Sequence, residues 1–383
     1  MRLMEFQAKQ LLLENGLTIP KGKLIMSVED LTADMFPALL KAQAQIGGRG
    51  KAGGIKIADD LAEAVPLASR MLDSTIKGEL VYALLVEELV ELSHEYYFSL
   101  VINPSINRPV LIASVEGGVN IEQVAEHSPT SIIEYPLDLH LGIPDYVCRS
   151  IAKRIGINNA HHLSKILEGM YEVFYEYDAT LVEINPLAQT SEGLIALDAK
   201  IILDSKASFR HRDLFERLSQ GHFELLRKRN CRAELLAVEK QINYVKLEGD
   251  VGIISDGAGT GMLAIDLVSD LGGKPANFCE LGAGSPERMQ SAMEIVLLTP
   301  GIKVLFITLI GGMTRMDEMA QGIIGYLSAH SVSVPVVIRM CGTKEGVGKD
   351  MLSRINVPTF DDMIEAAKHT VALAKKVNHG NTH

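Results

Sequence analysis

No stretch of the chain approaches the ~20 consecutive apolar residues that a membrane helix needs, and the opening MRLMEFQAKQ lacks the apolar core of a signal peptide. Neither a membrane protein nor an exported one is expected, and the cytoplasm is the expected location. Cysteine is scarce: Cys148, Cys231, Cys279 and Cys341 lie far apart, with no CxxC and no His-rich neighbour. That spacing excludes a disulfide frame and a zinc site, leaving reduced and mostly buried thiols. Positive charge is also short. The 37 Lys and Arg against 48 Asp and Glu leave a net charge of −11, which opposes non-specific binding to nucleic acid or anionic membrane, although a cleft can still be locally basic. No low-complexity tract suggests disorder, and 47% hydrophobic with 22% charged residues is a globular composition. At 383 residues the chain is too long for one core, so two or three domains are expected.

The most informative stretch is residues 181 to 200, LVEINPLAQTSEGLIALDAK. Two strand-like runs flank the turn signal Thr190-Ser191-Glu192-Gly193, and a hairpin without a bulge sets Glu183 opposite Lys200 and Asn185 opposite Asp198. Alternation then gives a polar face of Glu183, Asn185, Asp198 and Lys200, and a core face of Val182, Ile184, Ile195, Leu197 and Ala199. One carboxylate beside one amide oxygen suits Mg²⁺, a hard cation that keeps waters and takes further contacts from phosphates. An ordinary hairpin with its polar face in water fits the spacing equally, and a bulge at Gly193 would shift the pairing by one.

Residues 4 to 15 read as an amphipathic helix closed by Gly16, followed after Pro20 by a strand and a helical stretch. The sequence GGRGKAGG at 47 to 54 is the most unusual local composition. Its glycines around Arg49 and Lys51 make either a flexible turn or a cationic loop whose amides approach an anion. It lacks the GK[ST] ending of a Walker A loop. Glu87 and Glu95 stand at strand ends, where carboxylates either face water or accept from ribose hydroxyls. Helices are expected to about residue 176, and a charged helical connector over 214 to 240. From Gly249 five βα units follow, implying a doubly wound parallel sheet with ligands at the strands' carboxyl ends. Caps are expected at Ser285 before Pro286, at Thr314 with Asp317, and at Thr359. The Gly-rich turns at 257 to 261 and 311 to 312 are candidate anion sites. Two decoys fail: GAGTG lacks the full dinucleotide fingerprint, and GTKEGVGKD is one residue too long for a P-loop.

Taken in order, EFQAKQLL, GGRGKAGG, SVEGGVNIEQVAE, VEINPL, LDAK, FRHRDL, NYVKLEGDVG, PANFCELGAG, GGMTRMD, GIIGYL and VPVVIR resemble the β-subunit family of succinyl-CoA synthetases, ATP-grasp acyl-CoA ligases. The resemblance runs colinearly through nearly the whole chain. It implies an α/β protein with an N-terminal ATP-grasp fold over 1–235, a linker over 236–248, and a flavodoxin-like CoA-ligase domain over 249–383 that contacts an α subunit. It implies ATP or GTP bound by Lys41, Gly48, Arg49 and Gly50 at the phosphates, with Glu87, Val90 and Glu95 on the adenosine side. Asn185 and Asp198 would hold Mg²⁺, while Glu183 would orient a phosphorylated histidine. That histidine belongs to the α subunit, which also holds most of the CoA. None of the eleven histidines here lies in the carrier motif, so a heteromer is expected, as a dimer or a tetramer. A helix opening at Gly312 would aim its positive end at the phosphohistidine.

Two departures concern the small carboxylic acid, whose expected contacts are Asp256, Gly312, Met313 and Thr314. The family has Asn where this chain has Asp256, and Gly-Ile-Val where it has Gly312-Met313-Thr314. A carboxylate there repels the far carboxylate of succinate by ~1 kcal/mol or more at 4 Å, and donates no hydrogen bond unless protonated. Either the substrate is another short acid, such as malate, or the amides at 312 to 314 bind succinate while Asp256 turns away. Ala199, where the family has Gly, is a minor change. A stand-alone ATP-grasp ligase is opposed by the second domain, and a non-enzymatic scaffold by retention of the metal and phosphate residues.

Overall fold

A computed structural model describes residues 1–44, 50, 52–72, 74–76, 79–219, 232–282, 284–312 and 314–379. Gly48, Arg49 and Met313 lie outside these residues. The chain forms two compact units, Met1–Gly221 and His222–His383, and among the described residues no helix is long and apolar enough to cross a membrane.

The first unit holds two main sheets. The smaller is antiparallel, in the order Gly22–Ile25, Leu84–Glu88, Ala38–Ala42, Ile55–Ala58. Alternation sends Leu40, Ala42, Leu84 and Val86 into a core with the helix Leu61–Met71. The opposite parity carries Lys41 and Glu87, from two strands that pair with each other. The larger sheet orders Leu194–Ala196, Ala179–Gln189, His94–Asn103, Arg108–Ser114 and Ile132–Pro136, with Ala199–Leu203 also on Ala179–Gln189. Its apolar face shares one core with helices Glu5–Glu14, Asp145–Ile155 and Ala160–Glu176. Two expectations change here. Residues 27–36 form only two single 3-10 turns. Ile132–Pro136, inside a run expected to be helical, pairs as an edge strand, a position that tolerates Pro136 because an edge has an outer side without a ladder.

The second unit is a six-stranded sheet: Asn243–Lys246, Asn277–Glu280, Val251–Ser255, Val304–Gly311, Val336–Gly342, Thr359–Phe360. All pairs are parallel except the first, which is antiparallel. Helices Pro286–Leu297 and Met316–Ala329 share a core on one face, and Ala258–Asp270 and Met363–His379 share one on the other, so the doubly wound arrangement follows from the βα alternation. Asn243–Lys246 stands within the stretch expected as a linker; its pairing with Asn277–Glu280 makes it part of this sheet. Between Val251–Ser255 and Asn277–Glu280 the ladder is short, pairing Ser255 with Glu280. The Asn277 side chain fills in, accepting from Ile253 N–H at 3.0 Å and donating to Ile253 C=O at 2.7 Å.

Ser285 caps its helix as expected, accepting from Arg288 N–H, with Pro286 at the first helical position. The other two caps differ. The next helix starts at Met316, not Gly312, and Asp317 is drawn to Arg315 instead of completing a box with Thr314. The last helix is capped by Asp362, which accepts from Glu365 N–H at 2.8 Å, while Thr359 lies in a strand. Cys148 and Cys279 are buried free thiols. Burial raises the pKa of both, that of Cys279 to about 12. Since the thiolate is the nucleophile, both are expected to resist iodoacetamide at pH 8 in the folded protein and to react on denaturation. Peptide mapping reads the result, and native labelling of Cys279 would refute its burial.

Candidate functional site

The hairpin has the register that its turn dictates. Glu183 pairs with Lys200, Ile184 with Ala199, and Leu187 with Ala196, and Asn185 N–H donates to Asp198 C=O at 3.2 Å. Thr190 Oγ1 accepts from the Glu192 and Gly193 N–H groups. Gly193 has φ +136, and a Cβ there would stand 2.5 Å from the His162 ring, so this turn position needs glycine. The core face departs from simple alternation. Leu194 and Ala196 are buried, whereas Ile195 and Leu197 are only half-buried. The cause is local: Pro186 has no N–H to give a ladder, and the register against His94–Asn103 shifts between Ile184 and Leu187. Inward parity therefore changes between Ile184 and Leu187, and Asn185 sits at the change.

Asn185 is fixed by the glycine turn that follows Arg108–Ser114. Its Oδ1 accepts from Gly118 N–H at 2.7 Å and its Nδ2 donates to Val119 C=O at 2.9 Å. The turn lies flat on its neighbours: a Cβ on Gly117 would meet Tyr96 C=O at 2.6 Å, and one on Gly118 would meet Glu95 Oε2 at 2.5 Å. Glu95 thus stands close to Asn185. Glu183 lies on the Asn185 side of the hairpin, with Tyr97 Oη 3.4 Å and Lys200 Nζ 4.0 Å from its Oε2. Burial and then the Glu183 charge raise the Tyr97 pKa, keeping a neutral donor beside the carboxylate.

Lys41 reaches the same hairpin from the small sheet, donating to Leu197 C=O at 2.6 Å, one residue from Asp198. Its ammonium also contacts Glu5 Oε1 at 3.0 Å and Glu87 Oε2 at 2.8 Å. Lys9 contacts both oxygens of Glu87, at 2.5 and 2.7 Å, and Glu5 Oε1 at 3.2 Å. All four side chains are buried. Burial disfavours the Lys41 charge, but Glu5, Glu87 and Asp198 together outweigh it and raise its pKa. Beside this network lies a cleft of about 680 Å³, whose lining includes Ile19, Pro20, Leu24, Leu85, Gln10 and Arg217. Half-buried Val90 follows the Leu84–Glu88 strand, and exposed Gly50 lies beyond Lys41. Glu5, Lys9 and Tyr97 were missed from the sequence. A Glu and a Lys four apart on a helix read as a solvated pair, and only the 3.6-residue repeat relative to the buried Leu12 and Ala8 could have flagged them.

In the second unit, Asp256 follows Val251–Ser255 at the carboxyl end of the sheet. Its Oδ2 accepts from Ile310 N–H at 2.8 Å. Burial raises its carboxyl pKa, and the Ile310 hydrogen bond opposes that rise. Gly312 is tied by Thr343 Oγ1, which donates to its C=O at 3.1 Å, and Thr314 packs close to Gly284. Asp256, Gly312 and Thr314 thus belong to neighbouring strand ends.

The ATP-grasp domain family matches residues 2–189 and the CoA-ligase family residues 254–376. The chain is 40% identical to the ADP-forming succinate–CoA ligase subunit β of Ignicoccus hospitalis, over 98% of this chain and 100% of that one. The chain belongs to the succinate–CoA ligase β-subunit family. The corresponding protein of Pyrobaculum islandicum is 41% identical over 98% and 100%. The GDP-forming succinate–CoA ligase subunit β of Thermus thermophilus is 40% identical over 97% and 99%. Among solved structures, ATP citrate lyase from Methanothrix soehngenii in complex with citrate and coenzyme A matches with a TM-score of 0.71, over 97% of this chain and 99% of that one, at 18% identity. That likeness is one of fold. As a member of the β-subunit family, the chain is an ATP-grasp subunit of an acid–CoA ligase.

Proposed function

We propose that this chain is the nucleotide-binding half of a cytoplasmic heteromer that joins succinate to CoA, with ATP as phosphoryl donor. The γ-phosphoryl group passes to a histidine of the partner α subunit, and ADP leaves. The acid then takes the phosphoryl group as an acyl phosphate, and the CoA thiol attacks the acyl carbon and releases phosphate. The observation that carries this reading is Lys41 reaching the Leu197 carbonyl, one residue from Asp198, which supports a phosphate-binding role for Lys41 next to the residue pair suited to Mg²⁺. Lys41, Gly48, Arg49 and Gly50 take the phosphates, and Glu87, Val90 and Glu95 lie on the adenosine side. The apolar cleft beside Glu87 suits a flat purine.

The donor set supports a hard cation. Asn185 Oδ1 has two acceptor positions and Gly118 occupies one, and Asp198, its cross-strand neighbour, supplies a carboxylate. The chemistry such an ion supplies is neutralisation of charge on the transferring phosphoryl group. Glu183, held near Tyr97 and Lys200, orients the incoming histidine by accepting its ring N–H.

Asp256 favours a second reading of the acid. One of its oxygens is committed to Ile310 N–H, so the other, if ionised, selects a substrate donor such as the hydroxyl of malate. Thioester formation with ATP, Mg²⁺, CoA and a panel of short acids tests both. Asp256→Asn is expected to move the kcat/KM ratio toward succinate by about five- to tenfold, because roughly 1 kcal/mol or more of repulsion is removed. A ratio that stays put leaves Asp256 outside the acid pocket, and no thioester with any acid overturns the ligase reading.

A further inference from the structure

The Lys41 ammonium has three protons, and three acceptors take them: Glu5 Oε1, Glu87 Oε2 and Leu197 C=O. In this arrangement it has none left for a phosphate oxygen. If Lys41 binds the nucleotide as proposed above, it does so by exchange, giving up at least one of these contacts. Exchange is costly when it leaves a carboxylate buried without a counter-charge. Glu5 and Glu87 have side-chain exposures of 1% and 2%.

Lys9 removes that cost. It sits one helical turn from Glu5 on the Glu5–Glu14 helix, reaches both Glu87 oxygens, and touches the same Glu5 oxygen as Lys41. Burial lowers the Lys9 pKa, and Glu5 and Glu87 oppose that fall; short contacts to both oxygens of Glu87 hold Lys9 as an ammonium, so the network has two ammonium groups and two carboxylates, and both carboxylates touch both lysines. Whichever carboxylate Lys41 leaves is still held by Lys9. We infer that Lys9 is a positioning residue for nucleotide binding: it is the standing counter-charge that lets Lys41 be exchanged onto phosphate. This rests on the assignment of Lys41 to the nucleotide. Lys9 acts through Lys41 and not on the substrate.

The inference predicts opposite signs for two substitutions on one helix. Without Lys9, two carboxylates compete for Lys41 and hold it back. Without the Glu5 charge, Lys41 is held less and phosphate gains it more readily. Titration calorimetry of the full chain with MgADP reads both. Lys9→Met is expected to weaken binding about tenfold, Glu5→Gln to tighten it about threefold, and Lys9→Met/Glu5→Gln, in which charge is balanced again, to return close to the parent. In the assembled enzyme Lys9→Met should raise KM for ATP with kcat changed less than twofold. Should Lys9→Met fail to fold, Glu5→Gln and the double variant still decide the matter. Weakened binding in Glu5→Gln, or a double variant as weak as Lys9→Met, overturns the inference. Lys41→Met separates the two levels: if it binds MgADP like the parent, the assignment of Lys41 is wrong; if it loses binding while Glu5→Gln binds no tighter, only the role of Lys9 is wrong.

Discussion

Asp198→Asn will lower Mg²⁺-dependent thioester formation by about two orders of magnitude or more, and the loss will be only partly recovered at high Mg²⁺. Substitution of residues that merely support metal ligands commonly costs ten- to a hundredfold, and this change removes the carboxylate itself. Asn185 cannot replace it, because an amide oxygen is neutral and one acceptor position is already used by Gly118 N–H. A nucleotide that binds as its Mg²⁺ complex loses the same ligand, so ATP affinity should fall as well. The unfolding temperature should fall by a few degrees at most, since Asp198 is one of three carboxylates acting on Lys41, is half-buried and keeps its backbone link to Asn185. Activity within threefold of the parent would refute the proposal that Asp198 holds Mg²⁺. A large fall in stability would instead make it a structural residue.

Glu87→Ala should destabilise the first unit by about 3–5 kcal/mol, the usual result of removing one partner from a buried ion network. Lys9 loses two of its short contacts and Lys41 loses one, leaving two buried ammonium groups with Glu5 as the shared carboxylate. For a unit of this size the expected drop in melting temperature is roughly 6–20 °C. Glu88→Ala is the control. That neighbour points the other way on the same strand, is exposed, and accepts from Lys21 N–H at the surface, so it should change the melting temperature by no more than a degree or two. Calorimetry on the two variants distinguishes a general effect of the strand from loss of the network.

The parts of the structure that could be read in the sequence share a physical reason. The hairpin register was legible because a turn requiring glycine at position 193 fixes the pairs behind it as far as Leu181 with Ile202, beyond which the register shifts. The second unit was legible because short apolar strands alternating with capped helices have few other arrangements. What escaped depended on competition between equivalent candidates. Thr359 and Asp362 both precede the last helix, and the carboxylate closest to the first free N–H groups took the cap. Thr314 and Asp317 have the spacing of a capping box, but Arg315 between them offers Asp317 a stronger partner. Buried charge is the hardest to foresee. Glu5, Lys9, Lys41 and Glu87 are separated by up to 82 positions, and no local pattern shows that they neutralise one another.

The Asn277 amide has a consequence for how the second unit can assemble. It occupies both main-chain groups of Ile253 in a place with no exposure to solvent. If the Asn277–Glu280 strand slid by one residue, Phe278 or Ala276 would face Ile253, and its N–H and C=O would both be left without partners. Each such orphaned group costs about 1–3 kcal/mol, so the mistaken alignment is penalised twice before any apolar side chain is misplaced. One amide therefore acts as a key for the pairing of Asn277–Glu280 with Val251–Ser255, rejecting near-miss alignments that hydrophobic packing alone would tolerate.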